Sequence, residues 1–151
     1  MQKLLLHKAQ KFCSYQERCH EEVRTKLLEI GARGKELEEL MMSLIETNFL
    51  NEERFAVAYA GGKFRQKAWG RIKIVRELKL RKISDYCIRA GLREIEEKNY
   101  LKALDKLIEK KSKVEKEEHP QRRIMKLAKY CIEHGFEPKL VWTKLKMDGD
   151  N

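Results

Sequence analysis

Apolar residues recur along this chain at three- and four-residue steps. Leu37, Leu40, Met41, Leu44 and Ile45 stand at i, i+3, i+4, i+7 and i+8, the spacing of one helix face. Ile124, Leu127, Ala128 and Cys131 follow the same rule, as do Phe55, Ala58, Tyr59 and Gly62. No stretch alternates at two-residue steps between hairpin turns, so no sheet is expected. The pattern predicts nine helices, near 2–13, 19–30, 34–46, 52–66, 70–81, 85–92, 96–114, 120–134 and 138–146. Ser14-Tyr15-Gln16-Glu17 has capping-box form and offers another start for the second helix. Gly61-Gly62 inside the fourth helix costs about 1 kcal/mol per glycine relative to alanine, and points to close packing or a bend. Glu109 to His119 is almost wholly charged and reads as a solvated helix end or a flexible joint.

The helices repeat as a group. Segments 19–46, 70–92 and 120–147 align, each with an amphipathic stretch that ends near Gly31, Lys82 or Gly135. Ala32, Ile83 and Phe136 correspond, then Leu37, Ile88 and Val141, then Met41, Leu92 and Leu145. With Ser84 as N-cap, Ile83 and Ile88 take hydrophobic-staple positions. Phe136 and Val141 do so around Glu137, with Pro138 at the first helical position, where no N–H is needed. Leu50 and Phe55 repeat the device around Asn51. The expected fold is all-α, an elongated array of three tandem three-helix units at 1–49, 50–94 and 95–151. Such arrays offer long surfaces to large partners rather than deep small-molecule pockets.

Composition narrows the function. Lys and Arg number 34 against 24 Asp and Glu, a net charge of +10 over 151 residues, which favours a polyanion or an acidic protein surface as partner. The early apolar run Leu4-Leu5-Leu6 is too short for a signal-peptide core, and no stretch approaches membrane-helix length. A cytoplasmic, reduced setting is therefore expected. Cys13, Cys19 and His20 lack a paired Cys-x-x-Cys spacing, and Cys87 and Cys131 stand apart. Cys87 and Cys131 read as small hydrophobes on apolar helix faces, with no metal and no cofactor expected. Gly31-Ala32-Arg33-Gly34 lacks the Gly-Lys-Ser/Thr ending of a phosphate loop and reads as a helix stop. No nucleophile motif is present, so the chain reads as a non-enzyme.

Charge segregates along the chain. Lys63, Arg65, Lys67, Arg71, Lys73, Arg76, Lys79, Arg81 and Lys82 crowd residues 63–82 against the single acid Glu77. Glu36, Glu38, Glu39, Glu46, Glu52 and Glu53 occupy 36–53 with no base. These are either solvated faces or contact surfaces. On the fifth helix Ile74, Val75 and Leu78 share one face, and Trp69, Lys73, Arg76 and Leu80 share the opposite one. Trp69 is either an exposed contact residue beside two cations or a ring buried under helix four. Arg71 and Lys82 point nearer the buried side.

These residues resemble a known family. Leu50-Asn51-Glu52-Glu53-Arg54-Phe55-Ala56 is similar to the Leu-Asp-Asp-x-Arg-Phe-Ala signature of RecX regulatory proteins. Gly70-Arg71 followed by Ile74 and Leu78 resembles the family's Gly-basic-x-x-Ile-x-x-x-Leu segment, and Glu22-Val23 with Leu27 and Gly31 its upstream element. Asn51-Glu52 stands where the family usually has Asp-Asp, and Arg81-Lys82-Ile83 replaces a common Lys-Gly-Ile. Trp69 is not expected of the family. The resemblance implies a modulator, mainly an inhibitor, of the RecA recombinase. Such a protein binds the RecA–DNA filament as a monomer, touches DNA phosphates there and free DNA weakly, and acts in homologous recombination, DNA repair and the SOS response. It implies no membrane contact. The alternative is a basic helical module that binds nucleic acid alone. Both use the set Lys63, Arg65, Lys67, Trp69, Arg71, Lys73, Arg76, Lys79, Arg81 and Lys82.

The cysteine spacing generates a first prediction. EDTA should leave the thermal midpoint unchanged, whereas a structural zinc would make the fold depend on metal. Differential scanning fluorimetry with and without chelator checks it.

Overall fold

The computed structural model describes residues 2–149, with side chains through residue 146. Among the described residues there are nine helices and no strand. They are α1 (Gln2–Tyr15), α2 (His20–Glu29), α3 (Gly34–Glu46), α4 (Glu52–Lys67), α5 (Arg71–Leu80), α6 (Asp85–Arg93), α7 (Glu97–Val114), α8 (Pro120–Glu133) and α9 (Pro138–Gly149). The bounds lie close to those read from periodicity, except that α9 continues past 146. The capping-box start at Ser14 is not used, because α1 keeps its buried Leu5, Ala9 and Cys13 stripe and runs through Tyr15. Cys19, in extended backbone, precedes α2 instead.

The chain forms two compact units, Met1–Tyr59 with Leu78–Gly91, and Ala60–Glu77 with Leu92–Asn151. In the first, α1 packs on α2 and α3, and α2 on α3. Val23, Leu27, Ala32, Leu37, Leu40, Met41, Leu44 and Leu50 fill the core, each large side chain contributing about 1.5–3 kcal/mol by leaving water. In the second, α8 packs on α7 and α9, around Tyr100, Leu104, Leu127, Cys131, Phe136, Val141 and Leu145. Helix α4 divides its residues between the units, so no single apolar stripe describes it. Its buried residues are Phe55, Ala56, Ala60 and Gly61, whereas Ala58, which the periodicity placed on the inner face, is exposed. Gly61 leaves room for the Arg65 guanidinium, which lies 2.7 Å from where a Cβ would stand.

The repeat is visible at three helix ends. Ala32, Ile83 and Phe136 donate their N–H groups to the carbonyls of Leu27, Leu78 and Cys131. Gly31, Lys82 and Gly135 donate to Leu28, Lys79 and Ile132. This pair of bonds is the Schellman motif, which satisfies terminal carbonyls and needs a left-handed residue between them. Gly31, Lys82 and Gly135 take φ of 105°, 59° and 98°. The flanking pairs Leu27 and Ala32, Leu78 and Ile83, and Cys131 and Phe136 are all buried. The staples close the next helices: Leu37, Ile88 and Val141 are buried, and Ser84 Oγ accepts from Cys87 N–H at 3.3 Å. Asn51 Oδ1 accepts from Arg54 N–H at 2.9 Å, above a buried Leu50 and Phe55.

The charged stretch 109–119 is a tied turn and not a loose joint. Helix α7 runs to Val114, and the Arg123 guanidinium then donates to the carbonyls of Ser112 and Glu115 at 2.6 and 2.8 Å. The Glu117 N–H beside Glu115, together with Lys111 and Lys126, holds the Glu115 carboxyl below the usual range. The four cysteines are free and buried, and burial pushes the Cys131 thiol up to about 11.

Two stability predictions follow from the turns. Left-handed backbone costs a non-glycine residue about 1–2 kcal/mol, and glycine returns part of that as unfolded-state entropy. Among the described residues Lys82 ion-pairs only with Glu21, at an exposed site, which is worth little. Lys82→Gly should therefore stabilise by about 0.5–1 kcal/mol, raising Tm by roughly 2–4 °C. A Cβ at Gly70 would stand 2.3 Å from the backbone of Gly135 and Phe136. Gly70→Ala should destabilise at or above the upper end of the ~1–3 kcal/mol usual for overpacking. Thermal unfolding of both variants measures the two effects.

Candidate partner-binding surface

The second unit holds most of the basic set. The turn between α4 and α5 docks against the turn between α8 and α9. Gly70 N–H donates to the His134 carbonyl at 2.7 Å and Ile72 N–H to the Gly135 carbonyl at 2.9 Å. Gly135 is equally close, since a Cβ there would lie 2.4 Å from Lys73 Cβ. Tyr100 sits beneath, fully buried, its ring 5.0 Å from Phe136 and 5.8 Å from Phe64. Its hydroxyl accepts from Arg71 N–H at 2.9 Å and donates to the Glu137 carboxylate. Burial and the Glu137 carboxylate both raise the Tyr100 pKa, so the phenol keeps its proton.

Arg71 belongs to this cluster. Its guanidinium lies 3.8 Å over the Tyr100 ring and pairs with Glu137, at 2.7 Å, and with Glu97. Burial lowers its pKa, but the two carboxylates outweigh that and the net shift is upward. The charge of Arg71 is thus committed inside the unit, consistent with its inward direction on the helical wheel.

The outward side chains of the same turn are arranged differently. Trp69 is half-buried, with the Lys63 ammonium 5.1 Å and the Lys73 ammonium 4.5 Å from its ring centroid. Both distances are within cation–π range. The tryptophan is therefore neither sealed under α4 nor fully open, and it gathers one cation from α4 and one from α5. Arg76, three residues beyond Lys73, is exposed, as are Arg65 and Lys67. Buried Ile74 backs this face from the inner side of α5.

The other members of the set lie in the first unit. Lys79 is exposed, the Arg81 guanidinium lies 4.7 Å over the Tyr59 ring, and Lys82 reaches Glu21 at 3.1 Å. The acidic run of the first unit is partly neutralised, since Glu38 forms a bidentate pair with Arg24. That pairing lowers the Glu38 pKa. Among the described residues no group of three or more His, Cys, Asp or Glu side chains is placed to hold a metal ion, and no helix is long and apolar enough to cross a membrane.

Sequence reasoning missed one basic feature of the second unit. Lys102, Lys106 and Lys110 on α7 line a groove together with Arg65 of α4. Their i, i+4, i+8 spacing was readable, but Asp105 and Glu109 interleave with them and lower the local net charge.

The chain is similar to characterised proteins across most of its length. The family model for RecX, second three-helix domain, matches residues 51–92. The regulatory protein RecX of Bacillus velezensis is 30% identical over 131 residues, covering 83% of this chain and 49% of that protein. The chain thus spans about half the length of this curated relative. The crystal structure of RecX from Lactobacillus salivarius superposes with a TM-score of 0.86 at 20% identity, covering 99% of this chain and 96% of that one. A second crystal structure, of regulatory protein RecX, gives 0.86 at 20% identity, with coverages of 96% and 71%. At that identity the two crystal structures establish the fold, tandem three-helix repeats, and not the activity. The matched second domain, the sequence relative and the fold agree, and together they support a RecX-family protein.

Proposed function

We propose that this chain binds the RecA–DNA filament and restrains its assembly and strand exchange, acting as a regulator and not as an enzyme. The likeness to RecX regulatory proteins suggests the partner, because the geometry names none. The observation that supports a contact role here is the outer side of the α4–α5 turn. There Lys63, Trp69 and Lys73 cluster, with Arg76 exposed beyond them. Aromatic rings and arginine beside cations are the composition of a contact surface, and their charge suits filament carboxylates or DNA phosphates. The proposed surface comprises Lys63, Arg65, Lys67, Trp69, Lys73 and Arg76. Lys79, Arg81 and Lys82 extend the basic character of the chain into the first unit, and the setting proposed is the cytoplasm.

A stand-alone nucleic-acid-binding module uses the same cations. The two readings part at low protein concentration. A filament regulator slows RecA strand exchange where the protein alone leaves DNA unbound.

The substitution test pairs surface with core. The Lys73→Glu, Arg76→Glu double variant should keep its unfolding free energy within about 0.5–1 kcal/mol, as surface changes usually do. It should weaken inhibition of strand exchange clearly, since reversing interface cations costs a few kcal/mol, roughly 2–5. Leu78→Ala, at a fully buried leucine, should destabilise by about 2–5 kcal/mol and lose activity only through unfolding. Strand-exchange assays and thermal melts run side by side check all three. Normal inhibition by a folded double variant overturns the assignment of this surface.

A further inference from the structure

We infer that the groove between the end of α4 and α7 is a docking site for an acidic, apolar-anchored segment of a protein partner. It shares Arg65 with the surface proposed above and otherwise lies along α7. The groove has a volume of about 370 Å³ and is lined by Phe64, Arg65 and Ala68 from α4 and its end, and by α7 from Asn99 to Lys110. Its floor is apolar, made by Phe64, Ala68, Ala103 and Leu107, and its rim carries Arg65, Lys102, Lys106 and Lys110. No carboxylate lines it.

Three observations set the chemistry of the occupant. First, the rim cations are exposed, and none of the four forms an ion pair among the described residues. The neighbouring acids of α7 do, since Asp105 meets Lys144 at 3.0 Å and Glu109 meets Lys113 at 3.3 Å. The electrostatic demand of the groove is therefore met by none of the fold's own ion pairs. Second, Lys102, Lys106 and Lys110 are one helical turn apart, about 6 Å per step. Carboxylates at i and i+4 of a helical peptide repeat at the same step. Third, three of the four floor residues are aliphatic. The aromatic ring there, Phe64, packs against Tyr100, whereas single-stranded nucleic-acid sites combine cations with rings open for base stacking. An apolar floor with a cationic rim matches an amphipathic helix laid in a groove. The small side chains of Ala68 and Ala103 leave the depth for a leucine-sized anchor.

The test uses a fluorescein-labelled helical peptide with glutamates at i, i+4 and i+8 and leucines on the adjoining face. Fluorescence anisotropy follows its binding to the full chain. Wild type should bind it, and a serine-for-leucine peptide should bind at least roughly fivefold more weakly. Lys102→Glu, Lys106→Glu should weaken binding by roughly tenfold or more, with an unchanged circular dichroism spectrum and melt. Lys102→Gln, Lys106→Gln provides a milder variant, and it should show a smaller loss in the same direction. A labelled oligothymidine is the second probe, and its affinity should change little in either variant. Absence of peptide binding, or equal binding to wild type and both folded variants, overturns the proposal. So does a large loss of oligothymidine affinity without loss of peptide, which would assign the groove to nucleic acid.

Discussion

The architecture depends on stopping a helix in a left-handed turn and burying the residues on both sides of it. At Gly31, Lys82 and Gly135 the chain takes positive φ, and at each the N–H two residues past the last full turn reaches back to a buried residue's carbonyl. The turn satisfies backbone groups that would otherwise be orphaned, and it aims the next helix so that its staple residue returns to the same core. Leu37, Ile88 and Val141 are that residue in the three copies. A three-helix unit is thus specified by a few local positions and completed by packing. One sequence pattern can then be repeated with most other residues changed.

The second unit uses its turn twice. Gly135 is both a left-handed residue and the backbone surface on which Gly70 rests. Through Gly70 the start of α5 is fixed, and with it the side from which Lys73 and Arg76 project. Tyr100, Arg71, Glu97 and Glu137 fasten the same junction with directed polar contacts. The Gly-basic pair of the family-like motif is therefore structural on both counts, one residue for close approach and the other for a buried-ring ion pair. The contact-like residues are their neighbours, Trp69 and Lys73.

Charge follows the same division between use inside and use outside. Several cations are consumed by the fold: Arg71 by two carboxylates, Arg123 by backbone carbonyls, Arg24 by Glu38. Other cations of the second unit gather in an aromatic-backed cluster at the α4–α5 turn and in a stripe along α7. Net charge alone does not separate these roles, since a satisfied guanidinium and an exposed ammonium count equally in the total.

Helix positions, the repeat and the staples were legible in the sequence because each rests on contacts three to five residues apart. The helix ends near Gly31 and Gly135 were legible for the same reason. The inward direction of Arg71 could be read from the helical wheel, but its partners could not, for Glu97 and Glu137 lie 26 and 66 residues away. The inner face of α4 was misread at Ala58 because that helix serves two units and carries no single stripe. The α7 stripe escaped notice because linear counts mix Lys102, Lys106 and Lys110 with Asp105 and Glu109, which pair with Lys144 and Lys113. Local periodicity determined the elements and their capping. Which cations are spent and which are offered was decided by tertiary structure, because pairing depends on distance in space and not on separation along the chain.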